Sequence, residues 1–141
     1  MTCVLRAIGR GFDVDAFLQD SPFSRANVFH RGAPRLPGVP DGKQWDASGF
    51  NLPVSEAGFN LSEQIEDAMR LLRDHADELR RLLRFPGLEE VCLDFGIQRR
   101  EVAAQTAVFP ADLLWQAGAL DIDLVVTHYA VADEYGRTRE S

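Results

Sequence analysis

The sequence has few of the residues that build metal centres and disulfide frameworks. Its 141 residues include two cysteines, Cys3 and Cys92, and three histidines, without any Cys-x-x-Cys, His-x-His or His-Glu-x-x-His spacing. A cysteine inside an apolar run is typically a buried, unpaired small side chain. A disulfide framework usually contains more than two cysteines. The sequence therefore predicts no metal site, no cofactor and no structural disulfide.

Long apolar runs are also absent. No stretch approaches the ~18 apolar residues of a membrane span, and four charged residues between Arg6 and Asp15 interrupt the early apolar stretch that a signal peptide would need. The net charge of −7 is uneven, since residues 1–44 carry six basic and four acidic side chains and residues 45–141 carry nine and eighteen. An acidic surface repels phosphate backbones. We expect a soluble cytoplasmic protein that binds neither nucleic acid nor membranes.

The clearest pattern present is one long amphipathic helix over residues 60–84. At 100° per residue its apolar side chains share one arc and its charged side chains the opposite face. Asn60 is a good N-cap with Glu63 three residues later, and Pro86-Gly87 ends the helix. The apolar stripe comprises Leu61, Ile65, Ala68, Met69, Leu72, Ala76, Leu79 and Leu83, widened by Leu71, His75 and Leu82.

Strand-like sequence flanks this helix on both sides. We predict strands over residues 3–9, 27–31, 44–54, 90–97, 102–109 and 122–131, and short helices over residues 13–19 and 111–119. This order predicts an α+β fold, with an antiparallel or mixed sheet of about six strands, one long central helix and two short helices. Residues 1–132 form a single domain in this prediction, and residues 133–141 form a C-terminal tail.

A short internal echo suggests a symmetry. Residues 12–19 resemble residues 109–116, with an aromatic residue, an aspartate and a glutamine at matching positions. Each segment precedes a strand that contains a histidine, His30 in one and His128 in the other. If the echo is structural, two strand–helix–strand halves are related by a pseudo-twofold axis, in a ferredoxin-like manner.

Several loose motifs together resemble a known bacterial family. They are the early helix closed by a proline, the Gly-rich loop, the run Gly42-Lys43-Gln44-Trp45, the helix start Asn60-Leu61-Ser62-Glu63 and the closing segment 110–129. The chain resembles, over about residues 2–132, the domain-of-unknown-function family numbered four-two-seven-nine. The resemblance implies a small stand-alone bacterial domain, and it brings no established activity and no site residues.

The sequence shows no catalytic constellation. Gly9-x-Gly11 follows a strand as a dinucleotide fingerprint would, but the third glycine is replaced by Val14. There is no Gly-x-Ser-x-Gly elbow, and neither cysteine has a basic neighbour that would favour a thiolate. We therefore predict no catalytic residues and expect binding rather than catalysis.

The proline-rich loop is the most distinctive candidate for binding. Pro34, Pro37 and Pro40 recur every third residue between Gly32 and Gly42, which predicts an extended, polyproline-like loop. Arg31, Arg35 and Lys43 flank the loop and Leu36 lies within it, so we predict contacts from these four residues.

Two classes of function fit these observations. The first is a non-enzymatic domain that binds another protein, for example an immunity-type protein that neutralises a toxin, because acidity steers association with a basic partner. The second is a small-ligand-binding or enzymatic domain, with a pocket lined by His30, Arg31, Trp45, His128 and Tyr129. The sequence leaves the oligomeric state open and permits a homodimer.

Overall fold

The structure is a computed structural model that describes residues 2–130. Those residues form an α+β fold, as predicted, with five strands and four helices. The elements are β1 (Cys3–Gly9), α1 (Val14–Gln19), β2 (Asn27–Phe29), β3 (Ser48–Ser55), α2 (Leu61–Asp74), α3 (Ala76–Leu83), β4 (Glu90–Gln98), α4 (Ala111–Ala119) and β5 (Asp123–Tyr129). The predicted tail, and residue 131 of the predicted last strand, lie outside the described residues.

The five strands form one mixed sheet in the order β2-β3-β1-β4-β5. Strand β1 is antiparallel to both β3 and β4, β2 is antiparallel to β3, and β5 is parallel to β4. Parallel neighbours need a crossover connection, which residues 99–110 and α4 provide.

The prediction of a sixth strand over residues 102–109 is wrong. These residues, all within the described part of the chain, form neither strand nor helix, and the side chains of Val102 and Val108 are exposed. The segment is rich in alanine and lacks the apolar alternation of a half-buried strand.

The helices of residues 2–130 all pack on one face of the sheet. Leu5 pairs across the strands with Leu52 and Leu93, and side chains of directly paired residues project to the same face. Phe50 and Phe95 lie on that face and are fully buried. The core therefore lies between this face and the apolar sides of the helices.

The opposite face of the sheet carries a row of polar contacts. The Arg6 side chain donates from Nε to Asn51 Oδ1 at 3.0 Å, and its guanidinium lies 3.4 Å from the Asp94 carboxylate. Asp94 also accepts a hydrogen bond from Thr127 Oγ1 at 2.7 Å. These contacts join strands β3, β1, β4 and β5 across the sheet.

The long helix predicted over residues 60–84 is divided in two. At His75 the backbone leaves helical geometry, with φ −118° and ψ 26°, so that α2 ends at Asp74 and α3 begins at Ala76. The apolar stripe continues across the break, and Ile65, Ala68, Leu72 and Leu79 are buried as predicted. The predicted N-cap is also present, because Asn60 Oδ1 accepts a hydrogen bond from the Glu63 N–H at 3.2 Å.

The charged face of α3 is only partly exposed to water. The Arg81 guanidinium lies 4.1 Å from the ring centroid of Phe17 and donates to the Phe17 carbonyl at 2.7 Å. The Glu78 carboxylate accepts a hydrogen bond from Arg81 Nε at 2.6 Å, and its side chain is 12% exposed. Glu78 and Arg81, two of the charged residues predicted on the face opposite the apolar stripe, are therefore partly buried: Arg81 connects α3 to α1, and Glu78 pairs with Arg81 within α3.

The echo between residues 12–19 and 109–116 does not correspond to an internal symmetry of the sheet. The chain leaves α1 for β2, which is separated from β1 by β3, whereas it leaves α4 for β5, which lies directly beside β4 in parallel. The two segments therefore belong to different kinds of strand–helix–strand connection.

Candidate functional site

The proline-rich loop folds back on itself as a hairpin, which we call the proline hairpin (residues 32–45). The Gly32 N–H donates to the Trp45 carbonyl, the Trp45 N–H to the Ala33 carbonyl, and the Arg35 N–H to the Lys43 carbonyl, each at 2.9 Å. The extended polyproline-like conformation predicted for this loop is therefore wrong. Pro34 lies opposite Gln44 in a non-hydrogen-bonded pair of the antiparallel hairpin. The backbone hydrogen bonds are made by the residues on either side of this pair, so the N–H that proline lacks is not needed there.

Aromatic stacking holds the base of the proline hairpin. The Phe29 and Trp45 rings are stacked with their centroids 4.4 Å apart, and the Arg35 guanidinium lies 4.9 Å from the Trp45 ring centroid. Arg31 donates from its backbone N–H to Ser48 Oγ at 2.9 Å. The Phe29–Trp45 stack thus joins the hairpin to β2, and the bond to Ser48 holds the residue that precedes the hairpin against β3.

The tip of the proline hairpin exposes apolar side chains beside basic ones. Leu36 is 65% and Val39 47% exposed, next to Arg35 and Lys43. These residues and Gly42 surround a small cup of about 260 Å³ with a mostly apolar lining. Of the predicted site residues, Arg35, Leu36, Lys43 and Trp45 lie together in this one element, whereas Arg31 precedes it and its guanidinium donates to the Arg10 carbonyl at 3.3 Å.

Val39 is a candidate contact residue that the sequence pattern did not identify. Its backbone N–H donates to the Leu36 carbonyl at 3.0 Å, so a turn places the two apolar side chains at the same tip. The sequence feature that could have indicated it is an apolar residue between two prolines, Pro37 and Pro40, of a surface loop.

The remaining predicted site residues do not join this group. His30 follows β2 at one edge of the sheet, and His128 lies on β5 at the other edge. Four inter-strand gaps separate these edges by roughly 19 Å at about 4.8 Å per gap. Because β2 and β5 run in opposite directions, the histidines lie at diagonally opposite corners, and the predicted shared pocket is not formed.

His30 instead makes a local contact. Its Nε2 atom lies 2.7 Å from Asp15 Oδ2, and both side chains are more than half exposed. This pair joins α1 to the end of β2.

A second concave region lies at the ends of β4 and β5, around His128. We call it the His128 cleft; its volume is about 330 Å³. The Gln105 amide spans the loop beside it, donating to the Gln98 carbonyl at 2.9 Å and accepting from the Arg100 N–H at 3.1 Å. Tyr129 packs against Phe59 nearby, with the ring centroids 5.7 Å apart. The cleft is lined by Phe59, Leu61, Ile97, Gln98, Arg100, Gln105, Thr106, Ala107 and His128.

The two cysteines are poor nucleophiles. Burial, with the negative charge of Asp94 adding to it, raises the pKa of Cys3 to about 12, and burial also raises the pKa of Cys92. Their side chains project to opposite faces of the sheet, because Cys3 pairs with Phe95 and Cys92 with Arg6. Both thiols are therefore protonated at neutral pH.

Gly9 has a structural explanation. A Cβ atom at this position would lie 2.1 Å from the Gly87 carbonyl oxygen, so the close approach of two backbones requires glycine. Within residues 2–130 no cluster of three or more His, Cys, Asp or Glu side chains is arranged to hold a metal ion.

No family model matches the chain, and neither does any curated protein or solved structure. Among the helices of the described residues, none is both long and apolar enough to cross a membrane.

Proposed function

We propose that this chain is a non-enzymatic domain that binds another protein through the proline hairpin. The observation that carries the proposal is the tip of the hairpin, where Leu36 and Val39 are exposed beside Arg35 and Lys43. Arginine is enriched among the interface residues whose truncation costs the most binding energy, and the exposed apolar side chains beside it provide area that a partner can bury.

The base of the hairpin adds a second argument. Backbone bonds, the Phe29–Trp45 stack and the Arg35–Trp45 contact hold the loop before any partner arrives. A loop that is already ordered loses little conformational entropy on binding, and this preorganisation raises affinity.

The biological setting of the proposal is a bacterial cytoplasmic protein of the immunity type, with a toxin as its partner. The net charge of −7 would accelerate association with a partner of positive net charge, provided that the surface meeting Arg35 and Lys43 is itself apolar or acidic. The resemblance to family four-two-seven-nine and a ferredoxin-like description of the segment from β1 to β4, with α2 and α3 counted as one helix, are parts of the same proposal. The second of these is supported by the order βαββαβ with strands arranged β2-β3-β1-β4. A toxin gene next to this one would support the immunity role.

The test is a pull-down from a bacterial lysate with a tagged chain. We expect the parent to recover a protein partner and the double variant Arg35→Glu with Leu36→Ala to recover much less of it. A second pair, Leu36→Ala with Val39→Ala, leaves the Arg35–Trp45 contact in place and should also weaken capture.

The matched control is Arg25→Glu with Val102→Ala, since both residues are exposed and lie outside the hairpin. It should bind as the parent does. The urea midpoint of every variant should stay near that of the parent. If both hairpin variants capture the partner as well as the parent does, the proposal is wrong.

A small-ligand-binding or enzymatic domain is the second candidate, and the His128 cleft is the observation that favours it. Its volume of about 330 Å³ is at the lower end of the range for ligand pockets, and Arg100, Gln105 and His128 provide polar groups. A ligand screen followed by His128→Ala tests it. A tight ligand that the variant no longer binds would replace the protein-binding proposal.

A further inference from the structure

A continuous groove lies between α2–α3 and α4, and we call it the inter-helix groove. It consists of two cavities of about 270 and 300 Å³ that share Arg80, Ala119 and Leu120 in their linings. The remaining lining residues are Leu72, Arg73, Ala76, Leu83, Arg84, Trp115, Gln116 and Asp121.

One wall of the groove is cationic. Arg73 near the end of α2, Arg80 in α3 and Arg84 just after α3 all line the groove on this side. Arg80 pairs with the fully exposed Asp77 at 2.8 Å, and Arg73 lies 4.0 Å from Asp74. Surface pairs of this kind contribute little and exchange readily for another anion. Among the residues that line the groove, the three arginines outnumber the one carboxylate, Asp121, so the lining is basic on a chain of net charge −7.

The other wall is apolar and exposed. Helix α4 carries one charged residue in nine and buries Leu113 and Ala117 in the core. Its outer side presents Trp115, which is 72% exposed and lines the groove together with Ala119 and Leu120. Tryptophan and arginine are enriched among the interface residues whose replacement by alanine costs the most binding energy. Both residue types line this groove.

We propose that the inter-helix groove binds an acidic amphipathic helical segment of a protein, whose carboxylates meet the three arginines while its apolar side chains contact Trp115 and Leu120. A groove between two helices suits a third helix. Its length from Leu72 to Arg84 is about 18 Å at ~1.5 Å per residue, which matches roughly three helical turns. This inference does not depend on the proline hairpin.

The probe is a synthetic peptide of fourteen residues with capped ends, carrying leucine at helical i, i+3, i+4 and i+7 positions and glutamate elsewhere. The measurement is the ¹⁵N NMR signal of the Trp115 indole N–H, assigned by its loss in Trp115→Phe. We expect saturable shifts of that signal with the glutamate peptide. Replacing every glutamate of the peptide with lysine should abolish them.

The double variant Arg80→Glu with Arg84→Glu should weaken binding of the glutamate peptide by about tenfold or more, since each like charge now repels it. The matched control, Arg10→Glu with Arg25→Glu, changes the net charge equally at two exposed residues outside both the groove and the proline hairpin, and it should bind as the parent does. Amide spectra and urea midpoints establish that both variants are folded.

Three results would overturn the proposal. They are equal binding of the lysine and glutamate peptides, equal weakening by the two double variants, and shifts that appear at Trp45 while the Trp115 signal stays unchanged. A Trp115 signal that moves on dilution without peptide would show a second copy of this chain in the groove, and it would also overturn the proposal.

Discussion

Leu72 and Arg73 are neighbours in the chain whose side chains have opposite environments. Leu72 is 2% exposed within the core, whereas the Arg73 side chain is 65% exposed. Leu72→Ala should lower the free energy of unfolding by about 2–5 kcal/mol, because it removes packed methyl groups and leaves a cavity. Arg73→Ala should lower it by less than about 0.5 kcal/mol. Urea unfolding measures both, and equal midpoint shifts would show that the assigned faces of α2 are wrong.

Single residues differ in how well the sequence predicts their environment. The apolar period identified Leu72 and Ile65 as buried, because a helix needs one apolar side to join a core. It did not identify Gln64, which is fully buried. The Gln64 amide donates to the Gly96 carbonyl at 2.8 Å and accepts from the Gly96 N–H at 3.1 Å. A buried polar side chain needs a hydrogen-bond partner. The partner of Gln64 is the backbone of Gly96, 32 residues away, so the local sequence pattern around Gln64 does not indicate its burial.

Elements with strong local signals were predicted closely. Strand β1 and helix α4 have the predicted bounds, and Asn60 caps α2 as expected. The division at His75 carries no local signal, since neither proline nor glycine is present and the apolar period is unbroken. The sequence also did not predict that the proline-rich loop forms a hairpin, because prolines usually exclude strand pairing. The pairing register, which the sequence does not show, places Pro34 opposite Gln44, where no backbone N–H donor is needed.

The contact between α1 and α3 gives a prediction at the scale of elements. Burial disfavours ionised Glu78, but hydrogen bonds from Arg81 and Ser21 outweigh it and hold the pKa of Glu78 below its ordinary value of 4.5. A lowered pKa in the folded state adds stability above pH 4.5, which is lost as the pH falls through the folded-state value. Glu78→Gln should therefore destabilise by about 1 kcal/mol at pH 7.

This difference should shrink over the acidic range below about pH 4.5, because protonation removes the same interaction from the parent as the pH falls through the lowered pKa of Glu78. Urea midpoints of parent and variant across this range provide the measurement, with Asp77→Asn, an exposed neighbour, as the control. A constant difference at all pH values would contradict the assigned ion pair.

For the molecule as a whole, the order of the strands decides which predicted residues meet. The α+β class follows from alternating helical and strand patterns, but strand order depends on pairings between distant segments. The sequence placed His30 and His128 at similar strand ends, and the sheet order places them at opposite corners. The residues of the proline hairpin stayed together because they are close in sequence.

Stability of the whole molecule should depend on neither metal ions nor disulfides. Cys3 and Cys92 are free and project to opposite faces of the sheet, and residues 2–130 contain no cluster of metal ligands. Adding a chelator or a reductant should leave the melting temperature unchanged. A fall of several degrees with either reagent would contradict this and point to a bound ion or a cross-link.

Hydrogen–deuterium exchange by mass spectrometry, with and without the partner recovered in the pull-down, tests the central proposal most directly. Binding slows the exchange of backbone amides that become covered. We predict slower exchange in peptides covering residues 32–43 and unchanged exchange in peptides covering residues 97–107 and 123–129. Protection of the His128 cleft, with the proline hairpin unchanged, would contradict the proposal.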